Sequence, residues 1–98
     1  MTGWTFLTNH ARVLLCVARD PTARLRDLAA KVGITERAVQ RILADLVKAG
    51  YVSVVREGRR NCYQVHLDPP FRHPRERGHR VGELLTVTAD AEPGLQRA

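Results

Sequence analysis

Four polar side chains with complementary hydrogen-bonding chemistry lie close together in one short segment: Glu36, Arg37, Gln40 and Arg41. A guanidinium group donates paired hydrogen bonds, an amide donates and accepts, and an ionised carboxylate only accepts. In a nucleic-acid groove, arginine can bond to guanine O6 and N7, glutamine to adenine N6 and N7, and glutamate to cytosine N4. These residue types therefore favour base recognition, and the alternative is a solvated face that contacts nothing.

The spacing of the neighbouring apolar residues predicts a helix that would present these side chains on one face. Thr35 can cap its N-terminus, where free N–H groups and the positive end of the helix dipole attract a phosphate. At 100° per residue, six apolar residues fall within an arc of about 140°: Ala38, Val39, Ile42, Leu43, Leu46 and Ala49. We therefore predict a helix of about 14 residues between Thr35 and Gly50, buried on that arc and exposed on the polar side.

Two shorter helices are predicted ahead of this one. Residues 9–20 carry apolar side chains at helical spacing and stop before Pro21. A single strand bridge over residues 23–25 and a second helix over residues 26–32 follow. Gly33 ends the second helix, because glycine adopts the left-handed conformation without steric cost. Two helices joined by a short glycine turn constitute a helix-turn-helix.

A β-hairpin is predicted after the third helix. Residues 51–56 and 62–67 are rich in β-branched and aromatic side chains at alternating positions. Four polar side chains form its tip: Arg56, Arg59, Arg60 and Asn61. Arginines at such a tip suit a narrow minor groove or the flanking phosphates, although a charged loop can also serve solubility alone.

The chain beyond the hairpin changes in composition, so the principal domain is expected to span residues 1–67. Residues 68–80 form a basic, proline-rich linker with four arginines: Arg72, Arg75, Arg77 and Arg80. These arginines could wrap a DNA backbone or simply keep the linker solvated. Residues 81–88 have the apolar spacing of a two-turn helix, which is too short to be stable alone in water. Residues 89–98 are expected to form a flexible tail.

Six apolar side chains lie outside the predicted core: Trp4, Phe6, Leu7, Val81, Leu84 and Leu85. They could pack against the first helix of the same chain. The alternative is a self-complementary patch that joins two chains, and a short C-terminal helix in need of a partner surface favours it. We therefore expect a homodimer.

The distribution of charge favours a polyanionic partner such as DNA. The net charge is +6, and all of the excess lies in residues 1–66, which hold 11 Lys or Arg against 5 Asp or Glu. A basic body of this kind is typical of nucleic-acid-binding domains. No apolar run approaches the ~18 residues of a membrane span, and no signal peptide is apparent. The expected location is therefore the cytoplasm, with no membrane partner.

Catalytic and metal-binding chemistry has little support in the sequence. Ser53 is the only serine, and no glycine-rich phosphate loop, carboxylate pair or nucleophile–base pair is evident, so we expect neither an enzyme nor a cofactor. His66, His73 and His79 share one stretch, where a weak metal site is conceivable, but they lack the usual ligand spacing and none is expected. The two cysteines are expected to be free thiols.

The order helix, short strand, helix, glycine turn, helix and hairpin predicts a mainly α winged helix-turn-helix (α+β), with a three-helix core, a hairpin wing and a short C-terminal helix. The segment LAAKVGITERAVQRILADLVKAGYV resembles bacterial winged helix-turn-helix regulators of the MarR and ArsR type, and the likeness extends over residues 9–67. This resemblance implies a homodimeric transcriptional regulator on a palindromic operator. Its third helix would occupy the major groove and its wing the flanking minor groove. The matching positions are Thr35, Glu36, Arg37, Gln40 and Arg41 on the helix, with Arg59 and Arg60 on the wing.

The chain departs from these relatives in three features. It lacks the cysteine pair of ArsR-type metal sensors near the third helix and the cysteine that many redox sensors keep before the first helix. The long flanking helices of MarR dimers are missing or very short. The missing cysteine pair argues against metal sensing, and the missing N-terminal cysteine argues against peroxide sensing. No residue identifies a small-molecule effector. The predicted function is specific binding of double-stranded DNA, and the alternatives are a protein-interaction module or a binder of structured RNA.

Overall fold

Three helices and a β-hairpin follow one another in the order that the sequence predicts. The computed structural model describes residues 4–88. Its helices are α1 (Asn9–Arg19), α2 (Leu25–Val32) and α3 (Glu36–Lys48), and its antiparallel strands are β1 (Val52–Glu57) and β2 (Arg60–Val65). A short helix, α4 (Val81–Thr88), completes the described chain. The predicted winged helix-turn-helix with a hairpin wing and a short C-terminal helix is confirmed.

The turn between α2 and α3 is built by two residues that end one helix and start the next. Gly33 has φ +84°, a left-handed conformation, and its N–H donates to the Ala29 carbonyl at 2.8 Å. Two residues later the Thr35 hydroxyl accepts a hydrogen bond from the Ala38 N–H at 3.0 Å. Local signals on both sides of the turn therefore determine where α3 begins.

One hydrophobic core holds the helices and the hairpin together within the first of two compact units, which ends at Val65. The helices α1 and α2 contribute Val13, Leu14, Val17, Leu28 and Ala29, and the hairpin region contributes Tyr51, Val52 and Tyr63. The helix α3 contributes Val39, Ile42, Leu43 and Leu46. Burying each of these α3 side chains stabilises the fold by roughly 1.5–3 kcal/mol. The buried side of α3 therefore anchors its polar side.

The segment between α1 and α2 differs from the prediction. No strand bridge forms over residues 23–25, and α2 begins one residue earlier than expected. The chain turns here instead, because the Ala23 N–H donates to the Asp20 carbonyl at 3.1 Å. The carbonyl of Pro21 then accepts a hydrogen bond from the Tyr63 N–H of β2 at 2.8 Å. A single backbone hydrogen bond thus replaces the expected strand pairing.

The end of α3 and the tip of the hairpin also differ from the prediction. Ala49 was expected on the buried arc, but it is exposed because α3 ends at Lys48. The strands extend further toward the tip than expected, since Glu57 pairs with Arg60 and only two residues remain in the turn. Gly58, with φ +62°, allows so tight a connection.

The second unit begins at His66, and its described part is held by its own hydrogen bonds. A bridge between Pro70 and Arg80 closes the proline-rich segment. The helix α4 begins where the Glu83 carboxylate accepts a hydrogen bond from the Arg80 N–H at 2.8 Å, as in one half of a capping box. The predicted tail, residues 89–98, lies outside the described residues.

Candidate nucleic-acid interface

The polar side of α3 is exposed along its first two turns. All five residues predicted to contact DNA there are exposed: Thr35, Glu36, Arg37, Gln40 and Arg41. Four of them line one open depression together with Ala38, and Glu36 is the one that does not. Ala38, which is small and half-buried, lines the depression between the longer side chains. Helical geometry thus brings donors and acceptors from two turns onto one concave surface.

The side chains around this depression are available to an external partner. Within residues 4–88, Arg37, Gln40 and Arg41 make no side-chain hydrogen bond or ion pair. The acid in the following turn, Asp45, is bonded instead to His10 of α1, whose Nε2 lies 2.8 Å from Oδ2 of the carboxylate. The charge over the first two turns therefore comes from two guanidinium groups and the Glu36 carboxylate.

The start of α3 adds backbone donors to this surface. The hydroxyl and the carbonyl of Thr35 accept hydrogen bonds from the N–H groups of Ala38 and Val39, at 3.0 and 3.1 Å. The N–H groups of Glu36 and Arg37 have no acceptor among the described residues, because a helix leaves its first amides unpaired. These amides and the positive end of the helix dipole together suit an anionic group such as a phosphate.

The wing is a hairpin with a two-residue turn and cations at its tip. Gly58 has a positive φ and Arg59 does not, which is the combination found in a type II′ turn. Arg56 and Asn61 pair across the two strands, directly before the Glu57–Arg60 pair that closes the turn. The Nε of Arg56 donates to the Gly58 carbonyl at 3.3 Å, whereas the Arg59 side chain has no partner within residues 4–88. Arg59 is therefore free to bond outside the chain.

Arg60 makes a structural contact that the sequence does not reveal. Its Nη2 donates to the carbonyl of Thr22 at 2.6 Å, across 38 residues of sequence. Next to this contact, the Tyr63 N–H donates to the Pro21 carbonyl at 2.8 Å. These two hydrogen bonds attach β2 to the segment between α1 and α2. Part of the Arg60 guanidinium thus holds the wing in place, unlike that of Arg59.

The six side chains predicted to join two chains fall in separate units. In the first unit, Trp4 and Phe6 are 76% and 90% exposed and pack edge to face, with ring centroids 4.9 Å apart. Leu7 beside them is half-buried. In the second unit, the predicted residues are buried or half-buried: Val81, Leu84 and Leu85. Trp4 and Phe6 therefore form the part of this set that remains in water in the single chain.

Other kinds of site do not form in the part of the chain that the structure describes. Within residues 4–88, no three histidine, cysteine, aspartate or glutamate side chains are placed to hold a metal ion together. Neither Cys16 nor Cys62 forms a disulfide bond, and both are half-buried. None of the described helices combines the length and the apolar character needed to cross a membrane.

Comparisons with known proteins identify a sequence family and a similar fold. The sequence model of the MarR family matches residues 4–60, more than half of the chain. The crystal structure of the PcaV transcriptional regulator from Streptomyces coelicolor, in complex with its natural ligand, is similar with a TM-score of 0.53. The identity is 17%, over 96% of this chain and 69% of that one. This likeness shows the fold. The zinc-dependent MarR family transcriptional regulator AdcR, in the Zn(II)-bound state, gives a TM-score of 0.47 at 19% identity, over 95% of this chain and 68% of AdcR. No curated protein sequence matches the chain significantly.

Proposed function

Since the chain belongs to the MarR family, we propose that it is a cytoplasmic bacterial transcriptional regulator that binds specific sequences of double-stranded DNA as a homodimer. One observation carries the proposal. The side chains of Arg37, Gln40 and Arg41 are exposed, have no partner in the described chain and surround one depression at the start of α3. This role requires neither a catalytic group nor a cofactor.

In the proposed complex, the first two turns of α3 enter the major groove. The free N–H groups of Glu36 and Arg37 bind a backbone phosphate and fix the register of the helix on the duplex. Arg37 and Arg41 bond to guanine O6 and N7, and Gln40 bonds to adenine N6 and N7. The Glu36 carboxylate accepts from cytosine N4 and repels a misplaced phosphate. The mixture of charge types on this surface is thus explained by the different edges of the bases.

The wing reaches the neighbouring minor groove in the same complex. The Arg59 side chain, which has no partner in the described chain, enters a narrow minor groove, where the negative potential is strongest. Arg56 and Asn61 bind the flanking phosphates. Arg60 contributes mainly by holding the hairpin through its hydrogen bond to Thr22. Losing Arg59 should therefore weaken DNA binding without moving the wing.

A homodimer would present two copies of α3 to half-sites about 34 Å apart, one turn of the duplex. The exposed aromatic pair of Trp4 and Phe6 supports a surface that a second copy of the chain covers. We assign the neighbouring Leu7, with Leu84 and Leu85 of α4, to the same dimerisation role, whereas Val81 of the predicted set is already buried in the single chain. An inverted repeat in the operator would follow from the two-fold symmetry of such a dimer.

A selection of random DNA duplexes by the purified protein tests this function. We expect recovery of an inverted repeat, with half-site centres about 10 base pairs apart. Arg37→Ala should lose about 1–3 kcal/mol of binding free energy on the recovered duplex and relax the preference at one base position. Lys48→Ala removes one positive charge from the last turn of the same helix and serves as the matched control. It should lower the affinity for all duplexes slightly and equally.

Two results together would reject the proposal. The selection would recover no sequence, and the variants Arg37→Ala and Arg59→Ala would bind every duplex as well as the unchanged protein. A preference for structured RNA over duplex DNA in the same assay would assign the surface to RNA. Failure to bind either nucleic acid would leave the protein-interaction module.

A further inference from the structure

Residues 71–79, here termed the arginine loop, form a closed loop that the proposed function does not use. Pro70 and Arg80 flank the loop and pair with each other as an antiparallel bridge. Directly inside this bridge, the Phe71 N–H donates to the His79 carbonyl at 3.1 Å. The two ends of the loop are therefore joined by backbone contacts rather than left to diverge.

Further hydrogen bonds shape the interior of the arginine loop. The Glu76 N–H donates to the His73 carbonyl and the His79 N–H donates to the Glu76 carbonyl, each at 2.9 Å. The Nδ1 of His73 accepts a hydrogen bond from the Arg75 N–H at 3.1 Å. The loop thus has a defined backbone made of successive turns, although it contains neither helix nor strand.

The arginine loop carries three exposed arginines: Arg72, Arg75 and Arg77. Within residues 4–88, none of their guanidinium groups has an ion pair or a hydrogen bond, and Glu76 is the only acid in the loop. Arg80 differs, because it lies in the bridge and its N–H is bonded to the Glu83 carboxylate. Like charges so close in sequence repel one another in the free protein, and a polyanion relieves this repulsion.

We propose that the arginine loop is a second DNA-binding element, which holds backbone phosphates flanking the site read by α3 and the wing. This inference rests on the proposed function and adds a separate surface to it. A guanidinium group pairs with a phosphate through two parallel hydrogen bonds. A loop that is already shaped loses less conformational freedom on binding than a flexible one. Because phosphates carry no sequence information, the loop contributes affinity and not base preference.

The length of the chain limits which phosphates the loop can reach. Arg72 is seven residues beyond Val65, the last residue of β2. A fully extended chain covers about 3.6 Å per residue, so the backbone of Arg72 lies at most about 25 Å from Val65, at the base of the wing. This is shorter than one turn of the duplex, about 34 Å. Arg72 is therefore tethered less than one duplex turn from the base of the wing, and the expected contacts are phosphates that flank the site on the same duplex.

The triple variant Arg72→Ala, Arg75→Ala, Arg77→Ala tests the inference through the salt dependence of binding. Affinity is measured from low to high salt on the selected duplex and on a scrambled duplex. Each phosphate contact contributes about 0.9 to the slope of log affinity against log salt, so the magnitude of the slope should fall by about two to three. The ratio of the two affinities should stay unchanged. The variant Arg72→Lys, Arg75→Lys, Arg77→Lys should keep most of the slope, because lysine also neutralises phosphate.

A second triple variant provides the control of equal charge: Arg19→Ala, Lys31→Ala, Lys48→Ala, one cation from the last turn of each of α1, α2 and α3. Its slope should change by less than about one. Circular dichroism checks that all variants are folded. An unchanged slope in the loop variant, or equal losses in both triple variants, would overturn the inference. If the unchanged protein binds no duplex, the proposed function itself fails; if it binds and the loop variant matches it, only the present inference fails.

Discussion

At Gly33 the backbone takes a φ of +84°, and no atom beyond Gly33 and its immediate neighbours in the chain lies within 4 Å of the position that a Cβ would occupy. The need for glycine is therefore conformational and not a matter of space. Thr35 follows two residues later and caps α3 with its hydroxyl. These two residues, on either side of Ile34, aim the first turn of α3 and so place Arg37 and Gln40. A side chain at Gly33 would strain the turn that precedes the candidate DNA-contacting surface.

Gly33→Ala should lower the free energy of unfolding by about 1–2 kcal/mol, because an alanine in the left-handed conformation brings its Cβ close to the following carbonyl oxygen. Gly78→Ala is the matched control, since Gly78 has no positive φ and no atom beyond its immediate neighbours in the chain lies within 4 Å of the position of a Cβ. Gly78→Ala should leave stability unchanged or raise it slightly. Urea denaturation followed by circular dichroism measures both. Equal stabilities for the two variants would contradict this account of the turn.

Among the elements, α4 depends on its N-terminal hydrogen bonds, because a helix of two turns gains little from its own backbone. The Glu83 carboxylate accepts a hydrogen bond from the Arg80 N–H at 2.8 Å and lies 2.7 Å from the Nδ1 of His79. Two hydrogen bonds lower the pKa of Glu83 below its ordinary value of 4.5. The one from the Arg80 N–H has the larger effect, and the one with His79 has the smaller effect. The ionised carboxylate is therefore the form that stabilises the start of α4.

Acid should loosen the start of α4. Because the pKa of Glu83 is lower in the folded chain than in the unfolded one, the carboxylate contributes its full stabilisation above pH 4.5, and this contribution is lost as the pH falls through the lower folded-state value. The Arg80 amide resonance in an NMR titration reports the change, and its midpoint should lie below 4.5. Glu83→Gln should abolish that titration step.

Glu76→Gln removes a carboxylate from the same unit without touching the Arg80 N–H, and it should leave the titration of that amide in place. A midpoint at or above the ordinary value for glutamate, or a titration that survives Glu83→Gln, would show that this carboxylate does not hold the helix start.

At the scale of the whole molecule, Trp4 and Phe6 form an aromatic pair that the single chain leaves exposed. Trp4 and Phe6 touch each other but remain 76% and 90% exposed, an arrangement that leaves large apolar surfaces in water. Aromatic residues of this size commonly dominate the energetics of interfaces between proteins. The proposed homodimer would remove both rings from water. It would also provide the two-fold symmetry that an inverted repeat requires.

The double variant Trp4→Ala, Phe6→Ala should raise the dimer dissociation constant at least about tenfold, since aromatic contacts at the centre of an interface often contribute more than 2 kcal/mol. Sedimentation equilibrium measures the constant. Val54→Ala, Val55→Ala is the control, because these exposed apolar residues lie on β1 and outside the proposed dimer surface. A protein that is monomeric at every concentration, or a dimer that the aromatic variant leaves intact, would refute this assignment.

The sequence by itself determined the features that depend on residues near one another in the chain. Gly33 and Thr35 mark the turn, and the helical period separates the buried side of α3 from the exposed side that carries Arg37 and Gln40. Capping, backbone conformation and periodicity are local properties, so the order of elements and the exposure of the polar side could be predicted. The expected strand bridge failed because a turn after α1 satisfied the backbone differently.

Only the tertiary structure decided which polar groups are already hydrogen-bonded to distant residues of the chain. Arg60 is bonded to the Thr22 carbonyl across 38 residues, and Asp45 is bonded to His10 across 35. No local pattern marks such pairs, because they depend on how α1, α3 and the hairpin pack around the common core. Arg59 and Arg60 are adjacent arginines in the sequence. Packing places the Arg60 guanidinium in a hydrogen bond to the Thr22 carbonyl, whereas the Arg59 side chain stays available to an external partner.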